Sequence, residues 1–256
     1  MPPRGERIVL TGSGKSGYCP WRMTLDTKVW DPVARLATPL DIRTIVDGGA
    51  NIGDVTTDLL SRYPHAHFHC FEPSPATFSS LSGRFANHAN VTCIEAALAE
   101  TSGTLPFHIG AAQVTSSLYP RNTSGRRYFK SDFVMVESIE ARTMSLDAYC
   151  AAAGIDTIDI LKLDTQGGEY AILKGAAGLL SRQAVNILVA EFFIVPHYED
   201  TPLLNDIWNL LRSMDYGLFD LIPSARAANG QLRYGDAIFV SGAYRRRHLD
   251  SQPPEP

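Results

Sequence analysis

Ten residues, Ile45-Val-Asp-Gly-Gly-Ala-Asn-Ile-Gly-Asp54, limit the fold of this chain more than any other stretch. A short apolar run ends in a glycine turn. A helical pattern with Val55, Leu59 and Leu60 on one face then starts at Asp54. Gly48, Gly49 and Gly53 permit close backbone approaches that a Cβ would block. A strand, a tight turn and a helix in this order form the place where open α/β sheets bind ligands, at the carboxyl end of a strand.

The rest of the chain repeats the alternation. Strands are expected at Thr44–Asp47, Phe68–Glu72, Val91–Ala96, Ile158–Asp164 and Val185–Phe193. Helices are expected over Asp54–Arg62, from Ser74-Pro75 onward with Phe78, Leu81 and Phe85 inward, over Glu169–Leu180, and from Thr201-Pro202 with a Leu203, Leu204, Ile207, Leu210, Leu211 and Met214 stripe. This predicts an α/β fold with a mostly parallel sheet and helices on both faces. Leu218–Ile222 and Ala237–Val240 flank Asn229-Gly230 with no helical pattern between them, which predicts a C-terminal antiparallel hairpin closing the sheet. Thr104–Ile109 and Phe133–Ile139 read as an extended pair around a polar loop, Gly110–Lys130. That loop holds Ser116, Ser117, Tyr119, Arg121, Arg126 and Arg127, and loops of this length are usually functional. It is read as a substrate lid, with Ser116, Ser117 and Arg121 as candidate substrate contacts. Residues 1–40, with a helix over Trp21–Leu36, are read as an N-terminal segment packing over the site. Residues 41–244 form the main domain, and 245–256 a disordered tail that opens on the solvated cluster Arg245-Arg246-Arg247.

Composition narrows the partners. At 256 residues, 45% hydrophobic and 20% charged, the chain is a globular domain and not a disordered one. A net charge of −4 argues against a nucleic-acid partner. The longest apolar stretch, Val185–Val195, is too short to span a bilayer and contains Glu191; Met1–Gly14 lacks a secretory apolar core. A cytoplasmic protein acting on small molecules is the expectation. Cys19, Cys70, Cys93 and Cys150 form no Cys-x-x-Cys pair and read as reduced thiols. No aromatic run marks an oligomer interface.

The glycine turn does not complete the dinucleotide pattern G-x-G-x-x-G, because Ala50 stands where the second glycine belongs. Asp47, just before the turn, would repel a pyrophosphate and suits a cationic ligand. S-adenosylmethionine is cationic and phosphate-free. Glu72, about 20 residues beyond the turn at the end of the second strand, suits the ribose hydroxyls of any nucleoside. Lys162 and Asp164 share one face of an apolar strand, where charges are costly unless paired with each other or with Glu169. Asp164 at the strand end, Glu191 in the fifth strand and His197 just after it are the candidate catalytic groups. Three rival features are weaker. Gly12-Ser-Gly-Lys-Ser16 lacks the first glycine of a phosphate-binding loop. His65, His67 and His69 alternate on one strand face and raise a metal-dependent hydrolase. The turn with Glu72 also fits an NAD(P)-dependent oxidoreductase.

Taken together, Val46-Asp-Gly-Gly-Ala-Asn-Ile-Gly53, Phe71-Glu-Pro73, Leu146-Asp147, Leu161-Lys-Leu-Asp-Thr-Gln-Gly-Gly-Glu169, Leu173-Lys-Gly-Ala176 and Ala190-Glu191-Phe192 resemble the FkbM-type S-adenosylmethionine-dependent methyltransferases, from about Ile45 to Tyr216. The resemblance implies a class-I, Rossmann-like methyltransferase fold. It implies O-methyl transfer to a hydroxyl of a sugar, glycolipid or natural product, with cofactor contacts at Asp47, Gly49, Asn51, Gly53 and Glu72, beside Gly48 and Asp164 of the same crevice. A hydroxyl acceptor needs a base, and His197 has the suitable residue type, with Asp164 and Glu191 as alternatives. By analogy with sugar methyltransferases of this fold that use Mg2+ to hold a diol, Asp164 and Glu191 are also possible metal ligands.

Overall fold

The computed structural model describes residues 27–110, 115–121 and 135–251. Cys19, the Gly12–Ser16 motif, the Trp21 start of the first helix, Arg126, Arg127 and the chain beyond Ser251 lie outside them.

The chain runs α1 (Thr27–Ala37), β1 (Thr44–Gly48), α2 (Asp54–Arg62), β2 (His67–Phe71), α3 (Pro75–Phe85), β3 (Val91–Ile94), β4 (Ala97–Leu98), β5 (Gly103–Gly110), β6 (Met135–Met144), α4 (Leu146–Ala153), β7 (Ile158–Leu163), α5 (Glu169–Lys174), α6 (Ala177–Ser181), β8 (Val185–Phe193), α7 (Leu204–Ser213), β9 (Tyr216–Arg226), β10 (Leu232–Ser241) and α8 (Gly242–His248). A seven-stranded sheet has the order β3-β2-β1-β7-β8-β10-β9. The first five strands are parallel, and β10 runs antiparallel to both β8 and β9. The expected hairpin is therefore present, and its second strand inserts beside β8. The chain builds outward from β1 to β3 and then returns to place β7 against β1. This leaves a topological switch point between the carboxyl ends of β1 and β7.

Alternating strand residues feed two apolar layers. Val46, Leu161 and Leu188 face a layer with α4, α5, α6 and α7 residues such as Leu146, Ile172, Leu179 and Leu211. Ile45, Ile160 and Ile187 face another, with Val33 of α1, Leu59 of α2, Leu81 of α3 and Tyr244 of α8. Parallel strands covered on both faces send apolar residues to both, as the central residues of β1, β7 and β8 do. At the amino end of the sheet, Asp159 accepts hydrogen bonds from the Arg43 and Thr44 amides and from the Asn186 side chain, tying β1, β7 and β8 together.

Several boundaries differ from expectation for local reasons. The helix expected over Glu169–Leu180 breaks at Gly175, where a Cβ would lie 2.3 Å from the Ala99 carbonyl. It restarts as α6 because the Asp147 carboxylate accepts from the Gly178 and Leu179 amides, which are unpaired in a first turn. Helix α7 begins after Leu203 and not at Thr201, since the Asp206 carboxylate accepts from the Leu203 amide. Thr201 instead donates to the Tyr198 carbonyl. The tail boundary at 244 falls inside α8: Ser241 caps that helix, and Arg246 pairs with Asp215 at 2.8 Å. The expected extended pair is β5 and β6, which with β4 form a separate three-stranded sheet.

Candidate active site

The switch point opens into a cavity of about 490 Å3. Its walls come from α1 (Val29, Trp30), the glycine turn (Gly49, Ala50, Asn51), the end of β2 (Glu72), the segment 115–121 (Ser116, Arg121), the end of β7 (Lys162, Asp164, Gln166), β8 (Glu191), the turn after it (His197) and β10 (Arg233, Tyr234, Asp236).

The turn after β1 is tight enough to demand glycine. Gly49 sits at φ +77°, and a Cβ there would lie 2.0 Å from the Asp164 carbonyl. The Gly49 and Ala50 amides both donate to the Phe71 carbonyl, which ties the turn to the end of β2. Glu72 follows. Its carboxyl oxygens accept from the Asn51 amide at 3.1 Å and the Ser74 amide at 2.9 Å. Burial pushes this carboxyl up to about 7, and the two backbone donors only partly offset that. Each oxygen keeps a further lone pair for a hydroxyl donor.

The turn after β7 is organised by a buried carboxyl. Glu169 accepts from the Thr165 amide and hydroxyl through one oxygen and from the Gly167 amide through the other. Burial pushes Glu169 up to about 7 as well. The turn holds Gln166 at φ +58°, a conformation uncommon outside glycine. The Gln166 side-chain amide donates to Asp164 Oδ1 at 3.1 Å and to Glu191 Oε2 at 2.9 Å. Burial, with Asp164, Glu169 and Asp236 nearby, holds Glu191 well above the usual carboxyl range. Asp236 is its cross-strand partner on β10.

At the far end, His197 packs its ring against Phe193, Tyr234 and Tyr198. Burial, then Arg121 and Arg233, push its imidazole down to about 3. It is therefore neutral at physiological pH and weakly basic. Arg121 stacks over the Tyr198 ring at 4.4 Å.

Of the expected cofactor residues, Gly49, Asn51, Glu72 and Asp164 line the cavity. Asp47 does not. It is 1% exposed, with the Lys162 ammonium 2.9 Å from Oδ1 and the Thr56 hydroxyl donating to Oδ2 at 2.7 Å. The two charges are neighbours because Asp47 and Lys162 are register partners across β1 and β7. Burial lowers the Lys162 pKa, but Asp47 and Asp164 outweigh it and hold it above the usual value. A cation seeking an acid in this cavity meets Glu72, Asp164, Glu191 or Asp236 before Asp47, which is already matched. Gly48 and Gly53 support the turn from behind, packed against Leu163 and Leu98 and against Phe85 and Leu81. Of the acceptor candidates, Ser116 and Arg121 line the cavity. Ser117 is 1% exposed and donates to the Gln166 carbonyl.

His197, Asp164 and Glu191 do meet in one cavity. The histidine strand does not build a metal site: His67 is exposed, and His69 Nδ1 is hydrogen-bonded to the Tyr149 hydroxyl. Among the described residues no three His, Cys, Asp or Glu side chains converge as metal ligands. Between Asp164 and Glu191 stands the Gln166 amide, and a cation there would displace it. Sequence reasoning passed over Gln166, Tyr198, Arg233 and Asp236. Only Gln166 carried a signal, a polar residue inside the quoted 161–169 motif.

The donors around the cavity fit a phosphate-free nucleoside. Glu72 has acceptor capacity for ribose hydroxyls. A parallel sheet with a reversed inserted strand, a glycine turn at the switch point and an acid ending β2 define the class-I S-adenosylmethionine-dependent methyltransferases. Residues 47–218 match the family model described as the Methyltransferase FkbM domain. The chain belongs to the FkbM methyltransferase family. It is 26% identical over 176 residues to 2-O-methyltransferase NoeI of Sinorhizobium fredii, covering 67% of this chain and 72% of that one. It is 29% identical over 153 residues to Methyltransferase sdnD of Sordaria araneosa, covering 51% of this chain and 59% of that one. A crystal structure of Methyltransferase FkbM from Methylobacillus flagellatus superposes with a TM-score of 0.49 at 17% identity, over 78% of this chain and 44% of that one. Among the described residues no helix is long and apolar enough to cross a membrane.

Proposed function

We propose that the chain transfers a methyl group to a hydroxyl oxygen of a small acceptor, in the class of sugars, glycolipids and hydroxylated natural products. The observation that supports this is the Asp164–Gln166–Glu191 arrangement in the wall of the cavity that also holds Glu72. When bound, S-adenosylmethionine supplies an electrophilic methyl group. Glu72 would hold its ribose hydroxyls, and the Gly49–Asn51 backbone would run along the nucleoside. A hydroxyl is a weak nucleophile and gains from a base within hydrogen-bond reach. Glu191 is the best suited of the three candidates. A carboxyl lifted by burial is a stronger base once ionised, so activity should rise with pH as Glu191 loses its proton. Asp164 would orient the acceptor. His197 is too weakly basic for proton transfer and would form a wall of the acceptor end. The name of NoeI, a 2-O-methyltransferase, is in keeping with a hydroxyl acceptor.

The test has two stages. Calorimetry should show binding of S-adenosylhomocysteine and none of NAD or NADP. Radiolabelled methyl transfer to a panel of sugars, glycolipids and polyketide alcohols should then find an acceptor. Glu191→Gln should lower kcat by about 10²–10⁴ while S-adenosylhomocysteine still binds, whereas His197→Ala should lower it by about tenfold at most. Label arriving on amines or thiols but not on hydroxyls would sink the reading.

A further inference from the structure

One residue ties together the ends of β7 and β8 and the segment 115–121. The Gln166 amide nitrogen has two hydrogens, and each has a carboxyl partner, Asp164 and Glu191. Its side-chain oxygen accepts from the Tyr198 hydroxyl at 2.7 Å. Its backbone carbonyl accepts from the Ser117 hydroxyl at 2.7 Å. The Tyr198 hydroxyl also reaches the Thr115 carbonyl at 3.3 Å, and Glu199 donates its amide to the Pro120 carbonyl. The segment 115–121 is thus fastened to the turns after β7 and β8. A residue at φ +58° is retained only where its surroundings over-determine it, and this one is held at four points.

We propose that Gln166 is a positioning residue whose amide keeps the Asp164 and Glu191 carboxyls as two separate, fixed groups and links their geometry to the docking of the segment 115–121. The proposal rests on the reading of Glu191 as the group facing the acceptor. The amide is the side chain that meets the requirement. Two hydrogens satisfy two acceptors, and a carboxyl in its place would set three acids within hydrogen-bond distance with too few protons. The charged groups that face Glu191 are Asp164 and Lys162 of β7 and its end, Glu169 of α5 and Asp236 of β10. Lys162 is already matched to Asp47, and one Gln166 hydrogen donates directly to Glu191 Oε2. The sign follows: donors favour the ionised form, so losing them raises the pH at which Glu191 ionises, and adding a carboxyl raises it further.

The test is an infrared titration of the protonated carboxyl band on the full chain, with Glu191→Gln used to assign the Glu191 component. Gln166→Met should move the Glu191 midpoint to higher pH. Gln166→Glu should move it further, by about one pH unit or more. Circular dichroism identifies folded variants, and the methionine variant serves if the glutamate variant does not fold. Midpoints that stay at the wild-type value in folded variants overturn the proposal. These outcomes are read without an acceptor. A wild type that binds S-adenosylhomocysteine but shows no shift in the variants fails this inference alone, whereas failure to methylate any hydroxyl fails the function proposed above.

Discussion

The two ends of the cavity are held by different means. The end proposed to hold the cofactor is main chain: Gly49 against the Asp164 carbonyl, Gly49 and Ala50 amides on the Phe71 carbonyl, Asn51 and Ser74 amides on Glu72. Behind it lies a buried ion pair in strand register. The acceptor end is side chain: Ser117, Gln166, Glu191 and Tyr198, brought from a loop, two turns and a strand. Backbone bonds within a sheet survive substitution of most side chains, so the first end is built for one ligand class. A side-chain relay changes with each substitution, so the second end is the more sensitive to sequence.

The sharpest way to break this comparison is to disrupt the support of the rigid end. Asp47→Ala leaves the Lys162 ammonium with Asp164, 3.8 Å away, as its paired carboxylate among the described residues. Removing one member of a buried pair leaves an uncompensated charge, and the expected loss is about 3 kcal/mol of unfolding free energy. Urea denaturation measures it. A loss below about 1 kcal/mol would mean that the pair is incidental and the glycine turn alone holds the cofactor end.

The same contrast explains what the sequence disclosed. The strand positions, the glycine turn and the place of Glu72 at the end of the second strand were legible because a buried parallel strand needs an apolar run and a tight turn needs glycine; the order of the strands was not. The terminal hairpin was legible from Asn229-Gly230 without a helical pattern around it. Asp47 was assigned to the ligand because spacing along one strand says nothing about the neighbouring strand. Lys162 lies 115 residues later in sequence, and only the β1–β7 register brings it opposite. For the same reason Tyr198 and Asp236 were invisible: each belongs to the site through a partner that no local period relates to it. His197 and Arg121 were both found, but not that burial, Arg121 and Arg233 together remove the histidine's basicity. Gly175 ended a helix because a distant carbonyl needed the space, which a helical pattern does not record.

A second prediction concerns Glu72, whose carboxyl is pushed up to about 7 in the folded chain from an ordinary value of 4.5. Between those two values the folded state holds more protons than the unfolded state. Stability contributed by this group is therefore greatest at low pH and is lost as pH rises toward 7, by on the order of 2 kcal/mol. Glu169 adds a slope of the same sign. Glu72→Gln should flatten the part due to Glu72 in urea titrations from pH 5 to 8. Ligand binding should run the opposite way. An ionised Glu72 is the stronger acceptor for ribose hydroxyls, so affinity for S-adenosylhomocysteine should increase through pH 7 in the wild type and lose that dependence in Glu72→Gln. A pH-independent affinity in the wild type would place the ribose elsewhere.

The smallest predicted effect separates the two ends most cleanly. Tyr198→Phe keeps the ring beneath Arg121 and against Phe193, and removes only the hydroxyl that donates to Gln166 and lies 3.3 Å from the Thr115 carbonyl. A single buried hydrogen bond contributes about 1 kcal/mol, more if its acceptor is left unsatisfied. Its loss loosens the side-chain relay and touches no main-chain bond of the glycine turn. The acceptor KM should therefore rise by about five- to tenfold, with S-adenosylhomocysteine affinity as in the wild type. An equal weakening of both ligands would show that the relay reaches through Asp164 into the cofactor end, and the cavity would then be one cooperative unit with no division between its backbone and side-chain halves.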